Sequence, residues 1–119
     1  MTPDTKKTIS NEVDLTQKKC APCEKGAERM NRADATVLMK HIQGWAFGDE
    51  GQWLIKQFKF TNYVEAMAFA DKITPIAESE GHHPDLHISY GKVVVELATH
   101  AVHGLSENDF ILAAKIDQI

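Results

Sequence analysis

The sequence predicts an α+β fold in the order αββαββα: a four-stranded antiparallel sheet with its helices packed on one face. Three observations carry this expectation. Two aromatic- or valine-rich hairpins are legible, three stretches place apolar residues at helical spacing, and capping patterns stand ahead of two of those stretches.

The elements follow in order. From Ala33 to Gln43, Val37, Leu38 and Ile42 recur at helical intervals, and Gly44 supplies a stop. Trp45–Phe47 and Trp53–Phe60 read as aromatic-rich strands joined across Gly48–Gly51. Asn62 with Glu65 is a capping-box pattern, and Val64, Met67, Phe69, Ile73, Ile76 and Ala77 extend it as a long helix to Glu80. Pro75 lies inside that helix and predicts a kink or break, because an interior proline costs ~3 kcal/mol. Asp85–Tyr90 and Lys92–His100 form the second hairpin. A type II′ turn at Gly91-Lys92 would set Ile88 opposite Val95, His87 opposite Glu96 and His83 opposite His100. Ser106 with Asp109 repeats the capping signal, and Phe110, Ile111, Ala114 and Ile116 make the last helix. Three successive valines, Val93-Val94-Val95, predict cover on both faces of their strand and hence self-association.

The chain has 119 residues, 43% hydrophobic and 25% charged, the composition of one soluble domain whose core can hold without metal or disulfide. Residues 31–119 are that domain. Residues 1–30 are polar and lysine-rich, and read as a flexible or loosely docked arm. A formal charge of -4 without a basic cluster speaks against nucleic acid as a ligand. The lack of an apolar leader or of ~20 consecutive apolar residues speaks against a membrane span and for a cytoplasmic location. Cys20 and Cys23 form a Cys-x-x-Cys pair in the arm. A thiolate zinc site wants a second such pair, and a redox dithiol wants a preceding strand; the sequence has neither.

Six histidines stand at positions 41, 82, 83, 87, 100 and 103. Imidazoles with an ordinary pKa near 6.5 are the raw material of general acid–base catalysis at neutral pH, and in the expected register His82, His83 and His100 converge. Glu78, one turn before His82, and Asp109, opening the last helix, are carboxylates able to orient a ring. Two other readings stay open on residues alone: His82-His83-Pro84 as cations against a helix C-terminus, and a three-histidine zinc site. Nucleophilic-serine, P-loop and dinucleotide motifs are absent.

Glu78-Ser79-Glu80-Gly81-His82-His83-Pro84-Asp85, Tyr90-Gly91-Lys92-Val93, Leu97-Ala98-Thr99-His100 and Gly104-Leu105-Ser106-Glu107-Asn108-Asp109 together resemble the pterin-4a-carbinolamine dehydratases, over roughly Ala33 to Ile119. The resemblance implies loss of water from 4a-hydroxytetrahydropterin to give quinonoid dihydropterin, in recycling of the pterin used by aromatic amino acid hydroxylases. It implies His82, His83 and His100 as catalytic residues, and Trp45, Glu78, Pro84, Thr99 and Asp109 as substrate-binding residues. It further implies no metal and no cofactor, a homodimer or homotetramer, and coupling to a phenylalanine hydroxylase. The alternative is a homo-oligomeric protein-binding module of the transcriptional-coactivator kind, without catalysis. Leu86-His87 stands where animal members carry an aromatic pair, and Asn108 where they carry arginine.

Overall fold

The structure is a computed structural model that describes residues 14–20 and 29–119. Helix α1 is Arg32–Met39, strand β1 is Ala46–Gly48, β2 is Trp53–Lys59, helix α2 is Tyr63–Glu80, β3 is Asp85–Ser89, β4 is Lys92–Leu97 and α3 is Glu107–Ile116. This is the expected αββαββα order, with short 3-10 turns at Leu15–Gln17, Asp49–Gly51 and His100–Val102 added. The four strands form one antiparallel sheet in the order β1-β2-β4-β3. No helix among the described residues is long and apolar enough to cross a membrane.

Side-chain alternation sets the core. Leu54 on β2 and Val93, Val95 and Leu97 on β4 are buried and join one cluster with Phe69 and Ile73 of α2 and Phe110, Ile111 and Leu112 of α3. Phe58 and Phe60 close its edge against Phe69, with ring centroids 4.6 and 5.1 Å apart. Helix α3 is buried almost all round, from Asn108 through Ala114 and again at Ile116, so it is the central helix of the domain. The middle valine of the run, Val94, is only half-buried between its cross-strand neighbours Gln57 and His87. Val94 therefore lies on the opposite face of the sheet from the buried Val93 and Val95.

Four local expectations are corrected. The second hairpin turns at Tyr90-Gly91, pairing Ser89 with Lys92, so the register lies two residues from the expected one: Ile88 faces Val93 and His87 faces Val94. A slip of two keeps each side chain on its face, and Leu86, Ile88, Val93 and Val95 still share one. Gly91 is needed for close approach: a Cβ there would stand 3.0 Å from the Phe60 carbonyl, whose own N–H donates to Gly91 O at 2.8 Å. Strand β4 ends at Leu97, because Thr99 and Gly104 bridge to each other and fold His100–Val102 into a 3-10 turn, taking His100 out of the ladder. Helix α2 runs unbroken through Pro75, an exposed position at which the proline lacks the N–H that would otherwise reach the Asp71 carbonyl. Helix α1 stops at Met39, four residues before the expected Gln43, as Lys40, His41 and Ile42 donate to carbonyls three residues back.

Residues 14–20 lie against α3. Asp14 caps the first 3-10 turn, Leu15 is buried in the core cluster, and Lys18 pairs with Glu107. Cys23, and with it the second half of the Cys-x-x-Cys motif, lies outside the described residues, as do residues 1–13.

Candidate active site

The site forms where α2 ends beside the start of α3. Gly81 takes the left-handed conformation, φ +64°, and both it and His82 donate their N–H groups to Ala77 O. This reversal sends the adjacent imidazoles to opposite environments: His82 is 5% exposed, whereas the His83 side chain is 58% exposed.

His82 meets Asp109, with Nε2 and Oδ1 2.7 Å apart. A carboxylate only accepts, so the proton of this bond sits on His82 Nε2, which fixes ring orientation and tautomer together. Asp109 is fully buried at the third position of α3. Its Oδ2 accepts the Ser106 N–H at 3.0 Å, completing a capping box, and the Thr99 hydroxyl at 2.8 Å. Ser106 in turn donates its hydroxyl to Thr99 Oγ1 at 2.7 Å. A buried carboxylate is tolerable only with such a set of donors, and this one has three. Asp109 thereby does two jobs, starting α3 and holding a histidine.

The second carboxylate holds the second ring. Glu78 Oε2 accepts from His83 Nε2 at 2.7 Å on the exposed last turn of α2. His82, His83 and His100 then line one cleft of about 270 Å³ with Gly81, Ala98 and Ala101. That volume lies just under the ~300 Å³ at which small-molecule pockets begin. Ala98 and His100 are shared with a neighbouring cleft of about 210 Å³ that also takes Trp53, Thr99 and His103. His103 has a positive φ of 55°, as the tight return from Thr99 to Gly104 requires.

The other candidate residues fall as follows. Pro84 leads from His83 into β3, half-exposed at the cleft's end of the strand. Trp45 is elsewhere: it is buried against Phe58, and its indole N–H donates to Asp117 Oδ2 at 3.0 Å, so it does not line the histidine cleft. His87 reaches Glu96 at 3.3 Å, diagonally across the sheet rather than from the directly opposite position expected. Among the described residues no three His, Cys, Asp or Glu side chains are grouped as a metal ion would require. Sequence reasoning passed over Gly81, Ala98 and Ala101, whose small side chains make room between the rings and carry no chemical signal of their own.

A family model for pterin 4 alpha carbinolamine dehydratase matches residues 28–119. A protein of Rickettsia canadensis, provisionally named a pterin-4-alpha-carbinolamine dehydratase, is 48% identical over 104 residues, 87% of this chain and 94% of its own. A protein of Halorhodospira halophila with the same provisional name is 39% identical over 107 residues, 90% of this chain and 98% of its own. The crystal structure of a transcriptional coactivator/pterin dehydratase from Brucella melitensis is similar at a TM-score of 0.72 and 28% identity, covering 76% of this chain and 97% of that one. The matched span begins ahead of α1, runs to the last residue and takes in the whole histidine cleft. The chain belongs to the pterin 4 alpha carbinolamine dehydratase family.

Proposed function

We propose that this protein removes water from 4a-hydroxytetrahydropterin by histidine general acid–base catalysis. The observation that carries the proposal is three imidazoles on one cleft, two of them each held by its own carboxylate. In the reaction the C4a–O bond breaks as an imidazolium gives its proton to the departing oxygen, which leaves as water. A neutral imidazole takes the N5 proton, and the electron pair of that N–H bond becomes the new N5=C4a double bond of quinonoid dihydropterin. His83 and His100, on the open sides of the cleft, take these two roles. His82, locked against Asp109, forms the inner wall as a pterin contact and alternate acid. Glu78 keeps His83 oriented, Pro84 leads the chain from His83 into β3 beside the substrate, and Thr99 supports the site from beneath by donating to Asp109. The reaction belongs to cytoplasmic pterin recycling for an aromatic amino acid hydroxylase such as phenylalanine hydroxylase, and the protein works as a homodimer or homotetramer.

Replacing His82, His83 and His100 singly by alanine, and following dehydration of freshly made carbinolamine, tests this. Each loss should lower the rate by about 10²-fold or more, the scale of one general acid or base. Unchanged rates in all three variants would end the acid–base reading. The Brucella relative's name, transcriptional coactivator/pterin dehydratase, supports a second reading, in which the fold docks another protein. Capture of one regulator in stoichiometric amount by a chain without dehydratase activity would favour it.

A further inference from the structure

Beside the histidine cleft lies a second buried carboxylate that the proposed chemistry does not use. Glu80 is the last residue of α2, two before His82, and its side chain is 5% exposed. One oxygen accepts from Lys115 Nζ on α3 at 2.5 Å, and the other accepts the backbone N–H of Cys20 at 2.9 Å. Cys20 has a second hold on the same region, for its thiol donates to the Asn108 carbonyl at 3.6 Å, in the turn of α3 that carries Asp109. Burial, with the Glu80 charge adding to it, pushes that thiol up to about 12, so it stays protonated and remains a donor at neutral pH.

The geometry of these ties is specific. The end of α2 is fastened to α3 at two points, Glu80 to Lys115 and His82 to Asp109. On α3 those anchors stand six residues apart, about 9 Å along the axis at 1.5 Å per residue. Residue Cys20 spans the gap, touching Glu80 with its N–H and Asn108 with its thiol. Leu15, buried in the core five residues earlier, anchors the segment that delivers it. With Gly81 in a left-handed turn between the two fastenings, the path from Glu80 to His82 has little slack.

We infer that Glu80 is a positioning residue for the cleft: through Lys115 and the docked segment 14–20 it fixes the end of α2 so that His82 meets Asp109 in a single orientation. A buried ion pair is a poor source of net stability, since apolar residues of similar volume often replace one without loss, so its worth here lies in geometry. Misplacing a reacting group by 1 Å can lower a rate by about 10²-fold.

The test separates position from stability. In the double variant Glu80→Leu with Lys115→Met the apolar pair should keep Tm close to that of the parent. The low-field His82 Nε2–H proton resonance, assigned by its loss in His82→Gln, should broaden or shift. If the dehydratase reading on which this inference rests is right, kcat should fall by about 10-fold to 100-fold with KM changed less than about twofold. Glu80→Gln alone, which keeps an acceptor for the Cys20 N–H, should show the same changes to a smaller extent, and it decides the matter should the double variant fail to fold. Lys115→Arg, which preserves the pair, should restore parental values. Ile73→Val, a core truncation in the middle of α2, should lower Tm and leave both the resonance and kcat alone. An unaltered His82 resonance and kcat in both Glu80 variants would overturn the inference. Should the parent protein show no dehydratase activity, the function reading falls on that result and the resonance alone decides the role of Glu80.

Discussion

Asp109 concentrates the residue-scale physics of the site, because one fully buried side chain accepts from His82, Thr99 and the Ser106 N–H. Asp109→Asn puts an NH₂ group where one of these donors must point, and leaving a buried donor unpaired costs about 1–3 kcal/mol. Urea denaturation should register that loss, and kcat should drop by about 10²-fold or more as His82 loses its orienting carboxylate. Thr99→Val keeps the shape but removes both the donor to Asp109 and the acceptor of the buried Ser106 hydroxyl, and should likewise cost about 1–3 kcal/mol. A variant of Asp109 with parental stability would mean that the carboxylate is not the hub of this network. The capping half of its role was legible in the sequence, since Ser106 and Asp109 stand at the spacing a capping box needs. The histidine half was legible only as a general possibility, a carboxylate able to orient a ring: nothing local in the chain says which histidine, 27 positions earlier, will meet it.

Elements were readable in order and type because their periodicity and caps are local, whereas the hairpin register depended on a contact from outside the hairpin. Gly91 suggested a mirror-image turn beginning at the glycine. The structure instead uses its missing Cβ to admit the Phe60 carbonyl, and the turn moves to Tyr90-Gly91. Gly91→Ala should therefore destabilise by about 1–3 kcal/mol through overpacking against backbone that cannot swing aside. Gly81→Ala tests the opposite case, for nothing lies within 4 Å of its added Cβ and only the φ of +64° opposes it. About 1–2 kcal/mol is expected there, with Gly81→Asn milder, both read from denaturation midpoints. The tie between α2 and α3 has its own pH signature. Burial alone would raise the Glu80 carboxyl, but the Lys115 ammonium and the Cys20 N–H outweigh it and hold the group below its ordinary 4.5. A depressed carboxyl stabilises the fold fully above its unfolded value and loses that contribution as pH falls through the folded one. Stability measured from pH 6 down to pH 3 should thus decline less steeply in Glu80→Gln than in the parent; parallel slopes would show that Glu80 gains nothing from its partners.

At the scale of the whole molecule, the polar stretch ahead of α1 holds the least legible part of the fold. Leu15 stands in a polar stretch with Val13 as its one apolar near neighbour and no helical periodicity to mark it, yet it enters the core at 3% exposure and brings Cys20 against two helices. The segment is held by Leu15, by the two Cys20 hydrogen bonds and by an exposed ion pair, and Leu15 is the largest of these, because a surface pair contributes at most about 1 kcal/mol and a single hydrogen bond about 1 kcal/mol. Leu15→Ala should cost about 2–5 kcal/mol if the segment stays in place, and less if it detaches and lets the cavity fill. Thiol reactivity distinguishes these outcomes. A thiol moved from 9.0 to about 12 by burial and by the Glu80 charge holds about a thousandfold less thiolate at neutral pH than an ordinary one, and thiolate is the form that alkylates. Iodoacetamide labelling of the native chain, with Cys20 and Cys23 separated by peptide mapping, should find Cys20 nearly inert in the parent and quickened by at least tenfold in Leu15→Ala, in step with the thiolate its undocking restores. Equal labelling of Cys20 in the two proteins, at the rate of an unhindered thiol, would mean that the segment does not hold its place on α3 in solution.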